Sequence, residues 1–177
     1  MLKWLWLSGI VVLLDQITKY AAVARLQEYQ PAPFLPLLDL TLMYNEGAAF
    51  SFLSTAGGWQ RWLFTLLALV ISAIIVVWLL RLQQHRKLEA AGLALVLGGA
   101  LGNVIDRIFL GHVVDFLDFR YQAESCLPLF VPVRNGVTEC HWPAFNLADS
   151  AISIGVALLI IDSLRSALSH RKQKKTG

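Results

Sequence analysis

Four long apolar stretches constrain this chain more than any other feature. They lie near residues 4–25, 59–82, 88–110 and 145–168. Each approaches or exceeds the ~20 residues a helix needs to cross a hydrocarbon core. Composition agrees: 56% of residues are hydrophobic, 15% are charged, and mean hydropathy is +0.59. Soluble domains usually carry about 25% charged residues. The predicted fold is an all-α membrane protein with four transmembrane helices. A chain of 177 residues then holds one domain, residues 1–177, with two moderate loops at 26–58 and 111–144. It leaves no space for a separate soluble domain.

Charge orients the spans. Lys3, Arg81, Arg86, Lys87, Arg171, Lys172, Lys174 and Lys175 occupy the two ends and the loop 81–89. Segment 26–58 has no Lys or Arg, and 111–144 has only Arg120 and Arg134. The positive-inside rule therefore puts both termini in the cytoplasm and both longer loops outside. The basic tail reads as an anchor on anionic lipid rather than a nucleic-acid patch. Membrane lipids are the expected partner there, and nucleic acid is not. The first span also resembles a cleavable signal ending in Ala22-Val23-Ala24. Asp15, Gln16 and Lys19 make its polar region long for a signal, so retention is expected.

The outer loops carry weaker signals. Leu38-Asp39-Leu40-Thr41-Leu42 and Phe50-Ser51-Phe52 alternate with period two about the turn Tyr44-Asn45-Glu46-Gly47. That pattern predicts a small extracytoplasmic antiparallel β-sheet. Trp59 and Trp62 suit the membrane interface. A further strand is expected near Leu129-Phe130-Val131. Cys126 and Cys140 share the second outer loop. A disulfide is expected on that side of the membrane, where such bonds persist. Two free thiols are the alternative, because spacing does not show whether the Cβ atoms approach.

Polar residues at the span ends carry the chemistry. Asp115 and Asp149 stand at the mouths of two apolar segments on the same predicted side. A carboxylate against a bilayer costs ~2.5–3.5 kcal/mol unless paired or wetted. Two that meet can share a proton, one acting as base and the other as acid. That is the chemistry of aspartic proteolysis. Asn146 and Asp149 are i,i+3 on one helical face, just after Pro143, which suits a helix start. Asn103, Asp106 and Arg107 fall within about one turn, with Asn103 sharing a face with both others. Asp106 and Arg107 read equally as a structural ion pair. Gly98 and Gly102 form a small-xxx-small pair for close helix packing. Asp15 and Lys19 are i,i+4 neighbours, either orienting the helix end or serving the chemistry. No metal or cofactor is expected: HExxH is absent, and His112 and His141 are scattered. No G-x-S-x-G elbow is present, and Cys126 and Cys140 have no evident base.

Five motifs recur in order on these spans. They are Asp15-Gln16-Ile17-Thr18-Lys19, Asn45-Glu46-Gly47-Ala48-Ala49-Phe50, Gly98 to Asn103 with Asp106-Arg107, Val113-Val114-Asp115-Phe116, and Phe145 to Ser150. Together they resemble the motif set of the bacterial lipoprotein signal peptidase (signal peptidase II) family, from about residue 10 to residue 155. The resemblance implies an intramembrane aspartic endopeptidase of the bacterial inner membrane, working near its periplasmic face. Its substrates would be diacylated prolipoproteins, cut just before the lipidated cysteine. It implies Asp115 and Asp149 as the catalytic pair. Asn45, Gly99, Asn103, Arg107 and Asn146 would bind substrate or orient the site, with Asp15, Lys19 and Asp106 in support. It also implies inhibition by globomycin-type cyclic peptides. A monomer is expected. One departure is the loop between Asp115 and Asp149, longer than the usual family loop, which bears on substrate access. The rival classes are a proton-coupled transporter, disfavoured by the lack of a repeat, and a non-catalytic membrane scaffold.

Overall fold

The computed structural model describes residues 1–47, 57–135 and 137–176. It has four helices: α1 (Leu5–Arg25), entered through a 3-10 turn, α2 (Trp59–Arg81), α3 (Lys87–Phe109) and α4 (Leu147–Thr176). All four contain a segment long and apolar enough to cross a membrane. In α4 that segment ends at Leu168, and the helix continues into the basic tail.

Helix α3 is the hub. Of its most apolar window 67% is buried, against 28%, 22% and 17% for α1, α2 and α4. Small residues make this possible, because lipid supplies no hydrophobic drive between helices and close backbone contact must replace it. A Cβ on Gly98 would lie 2.7 Å from Val11 Cβ on α1. A Cβ on Gly99 would strike the Ala148 carbonyl and come 2.7 Å from Ile152 Cγ1, both on α4. On the α2 side, Ile75 and Leu79 pack against Ala90, Leu93 and Leu97. Leu66, Ile74 and Leu80 of α2 and Ile160 and Leu164 of α4 point outward, as lipid-facing residues do.

Five strands gather at one end of the bundle: β1 (Ala32–Leu35), β2 (Leu38–Asn45), β3 (Val113–Gln122), β4 (Val131–Asn135) and β5 (Val137–His141). They form one antiparallel sheet in the order β1-β2-β3-β5-β4. The predicted strand at 38–42 lies within β2, whose partners are β1 and β3. The segment Phe50-Ser51-Phe52, predicted as its partner, lies outside the described residues. The strand predicted near Leu129 starts later, at Val131. Leu129 has φ 76°, and the Phe130 amide bonds back to Leu127 O, so the chain is still turning there. Cys126 and Cys140 form a disulfide with Cα atoms 5.4 Å apart, tying this turn to β5.

Candidate active site

Strand β3 brings the first carboxylate into place. Gly111, at φ 91°, sits in the turn after α3, a conformation few other residues adopt. The chain then runs back as β3, where Asp115 pairs with Met43 and Val113 with Asn45. The second carboxylate arrives by a return pass. Phe145 donates its amide to Leu117 O at 3.0 Å and accepts from the Phe116 and Leu117 amides. This seats the start of α4 against β3. The helix opens at Leu147, with Asn146 just before it and Pro143 further back in the approach. The Asp149 amide donates to Asn146 Oδ1 at 3.0 Å, and the Asn146 amide donates to Asp149 Oδ2 at 3.2 Å. The exchange satisfies two otherwise orphaned donors at the helix start.

Two asparagine amides join the carboxylates. Asn146 Nδ2 donates to Asp115 Oδ1 at 2.8 Å and leans toward Asn103 Oδ1 at 3.2 Å. Asn103 Nδ2 donates to Asp149 Oδ1 at 2.8 Å. Asn45 Nδ2 reaches the other oxygen of Asp115 at 3.2 Å. Asp115 is buried, 3% exposed, whereas Asp149 is half-buried. Burial and then the charge of Asp149 push the Asp115 carboxyl up to about 7, against weaker pulls downward from Asn45, Asn146 and Lys19.

Behind this layer lies a buried ionic hub. Lys19 Nζ bonds Asp15 Oδ2 at 2.9 Å, Asp106 Oδ2 at 2.8 Å and Asn103 Oδ1 at 2.9 Å. Asp15 also accepts the Ala148 amide at 2.9 Å, near the start of α4. Asp106 accepts the Val114 amide at 3.1 Å and Gln16 Nε2 at 2.9 Å. So the hub pins α1, α3, α4 and β3 together. In place of the Asp106–Arg107 pair that their adjacency suggests, Asp106 bonds Lys19. Consecutive helical residues point about 100° apart, and Arg107 turns to the other side, donating to Gly47 O at 3.1 Å. Gly99 acts through its missing Cβ, letting α4 come close to α3.

The carboxylates face a cavity of about 760 Å3. Asn45, Asn103, Arg107, Asp115 and Asp149 give it a polar floor. Phe119, Phe130, Trp142, Phe145, Ile152 and Ile154 give it mostly apolar walls. Phe130 stands edge-on to both Tyr121 and Trp142, with ring centroids 5.0 and 5.3 Å apart. Sequence reasoning missed this wall and the role of Gln16. It also missed the sheet network, in which Arg120 pairs with Asp39 and Glu139, and His141 Nδ1 sits 3.0 Å from Asp118. The alternation of Asp39 and Thr41 within β2 was the one available signal for the buried polar face.

Comparisons with known proteins point one way. Residues 7–165 match the family model described as Signal peptidase (SPase) II. A lipoprotein signal peptidase of Alteromonas mediterranea is 44% identical over 99% of this chain and 87% of its own length. One of Pseudomonas paraeruginosa is 49% identical over 95% of this chain and 91% of its own length. Two solved structures of bacterial membrane enzymes, both obtained by the in meso method, share the fold. The first has TM-score 0.76 and 28% identity, covering 94% of this chain and 90% of the other. The second has TM-score 0.72 and 29% identity, covering 93% and 94%.

Proposed function

This chain belongs to the signal peptidase II family, and from that premise we propose that it is a multi-pass membrane aspartic endopeptidase with Asp115 and Asp149 as its catalytic pair. The carrying observation is the link Asp115–Asn146–Asn103–Asp149 on the floor of one largely apolar cavity. Two such carboxylates hold one proton between them over the working pH range. The deeper burial of Asp115 favours it as the protonated partner. Asp149 takes a proton from water as its oxygen bonds to the scissile carbonyl carbon. Asp115 gives its proton to the carbonyl oxygen. When the tetrahedral intermediate collapses, the C–N bond breaks. The leaving amine takes the proton from Asp149, and Asp115 regains one from the intermediate's hydroxyl. Arg107, on the cavity floor, supplies positive charge near the developing oxyanion.

The substrates are prolipoproteins already carrying diacylglycerol, and the cut falls just before the lipidated cysteine. The apolar walls support this reading. Ile154 lines the cavity and is also 55% exposed on α4, so the cavity reaches the side of the bundle. A lipid-bearing peptide enters from the bilayer by that route. A cyclic lipopeptide inhibitor of the globomycin type fits the same space. The chain works as a monomer in the bacterial inner membrane, with both termini in the cytoplasm and the sheet on the periplasmic side. The distribution of Lys and Arg supports that orientation. Incubating the purified chain with a diacylated precursor tests the reading. Product masses that place the new N-terminus at the lipidated cysteine support it, and an uncut precursor refutes it.

A further inference from the structure

Lys19 lies behind the cavity and has no task in the steps above. A lysine has three donors and no acceptor. Two of its bonds, to Asp15 and Asp106, would already neutralise it. The third, to Asn103 Oδ1 at 2.9 Å, does something else. A side-chain amide has two faces, one donor and one acceptor, and a half-turn exchanges them. With Lys19 on one side, only the oxygen of Asn103 can face it. Its nitrogen must then face Asp149, as it does at 2.8 Å. The second lone pair of Asn103 Oδ1 takes Asn146 Nδ2 at 3.2 Å. The Asn146 amide is held the same way round by the Asp149 amide, which donates to its Oδ1 at 3.0 Å, and its nitrogen meets Asp115 at 2.8 Å.

We propose that Lys19 is a positioning residue for the reaction: it locks the amide of Asn103 so that its N–H faces Asp149 and its oxygen faces Asn146. The proposal rests on the reading of the site as an aspartic peptidase. N–H donors favour an ionised carboxylate. Turned the other way, the Asn103 amide would set an oxygen against Asp149 and favour its protonated form, leaving no base. The charged groups facing the pair are Lys19 from α1 and Asp106 and Arg107 from α3, with Asp15 of α1 bonded to Lys19 behind them. Asp15 and Asp106 largely balance the charge of Lys19. Lys19 keeps only a weak direct downward pull on Asp115, and its directional influence runs through the Asn103 amide.

Two variants of the full chain separate positioning from folding. Lys19→Gln with Asp106→Asn removes the cation together with one carboxylate, which limits the burial of unpaired charge. Asn103→Asp keeps an oxygen for Lys19 and removes the N–H facing Asp149. Thermal unfolding, kcat, KM and the pH profile are measured with a diacylated precursor. The expected result is folded protein in which kcat falls about tenfold or more while KM stays within about twofold. The pH window should also move upward by on the order of one unit, because losing donors raises carboxyl pKa values. A pH window unmoved from that of the parent chain overturns the proposal, whatever the rate. Loss of folded protein in both variants also overturns it, leaving Lys19 a purely structural role. A parent chain that does not cut the precursor overturns the reading of the site, and this proposal with it.

Discussion

Asp115 and Asp149 share a network but not an environment. Asp115 is buried on a strand between Asn45 and Asn146, while Asp149 sits half-buried in the first turn of α4. In the proposed mechanism that asymmetry makes Asp115 the acid. Burial and Asp149 lift the Asp115 carboxyl to about 7, so it holds a proton to give below that value and has lost it above. Cleavage should therefore fall as pH rises through about 7, and a pH–rate profile of kcat checks the sign. At this scale much was legible. Asp115, Asp149, Asn103 and Asn146 stood out because polar groups beside long apolar runs are costly. The choice of Lys19 as the partner of Asp106 was not legible, because those residues lie on different helices.

Helices and strands were legible to different degrees. The spans show in the sequence because each is a long apolar run, and their predicted edges fall close to the observed helices. Strand β3 left no such mark: Val113 to Phe116 are all buried, so no alternation of apolar and polar residues survives. Strand β4 was expected slightly early, near Leu129, where the chain is still turning, and β5 was not expected. Two predictions belong to elements. Gly99→Val drives a side chain into the Ala148 carbonyl and Ile152 on α4. Overpacking of this kind costs about 1–3 kcal/mol and displaces Asp149, so thermal unfolding and cleavage should both suffer. Cys126→Ser opens a loop with a sequence separation of 14. It should lower stability by up to about 3 kcal/mol in the chain-entropy model while retaining cleavage, because the proposed chemistry uses no thiol. Denaturant unfolding beside a turnover assay separates the two effects.

At the scale of the molecule, four helices hold a sheet at one end, and the two carboxylates sit where sheet and helices meet. The apolar cavity walls and the exposed flank at Ile154 suit a positioning role for the lipid of the proposed substrate. A lipidated precursor should therefore be cut faster than the same peptide without lipid, and equal rates in a competition assay would contradict this. In the proposed mechanism Asp115 and Asp149 perform the cleavage together. Its most direct test is the turnover of a diacylated precursor by purified, folded parent chain, Asp115→Asn and Asp149→Asn. Cleavage by the parent is expected, with a loss of at least ~100-fold in each variant and folding intact. Near-parental turnover by either variant contradicts it.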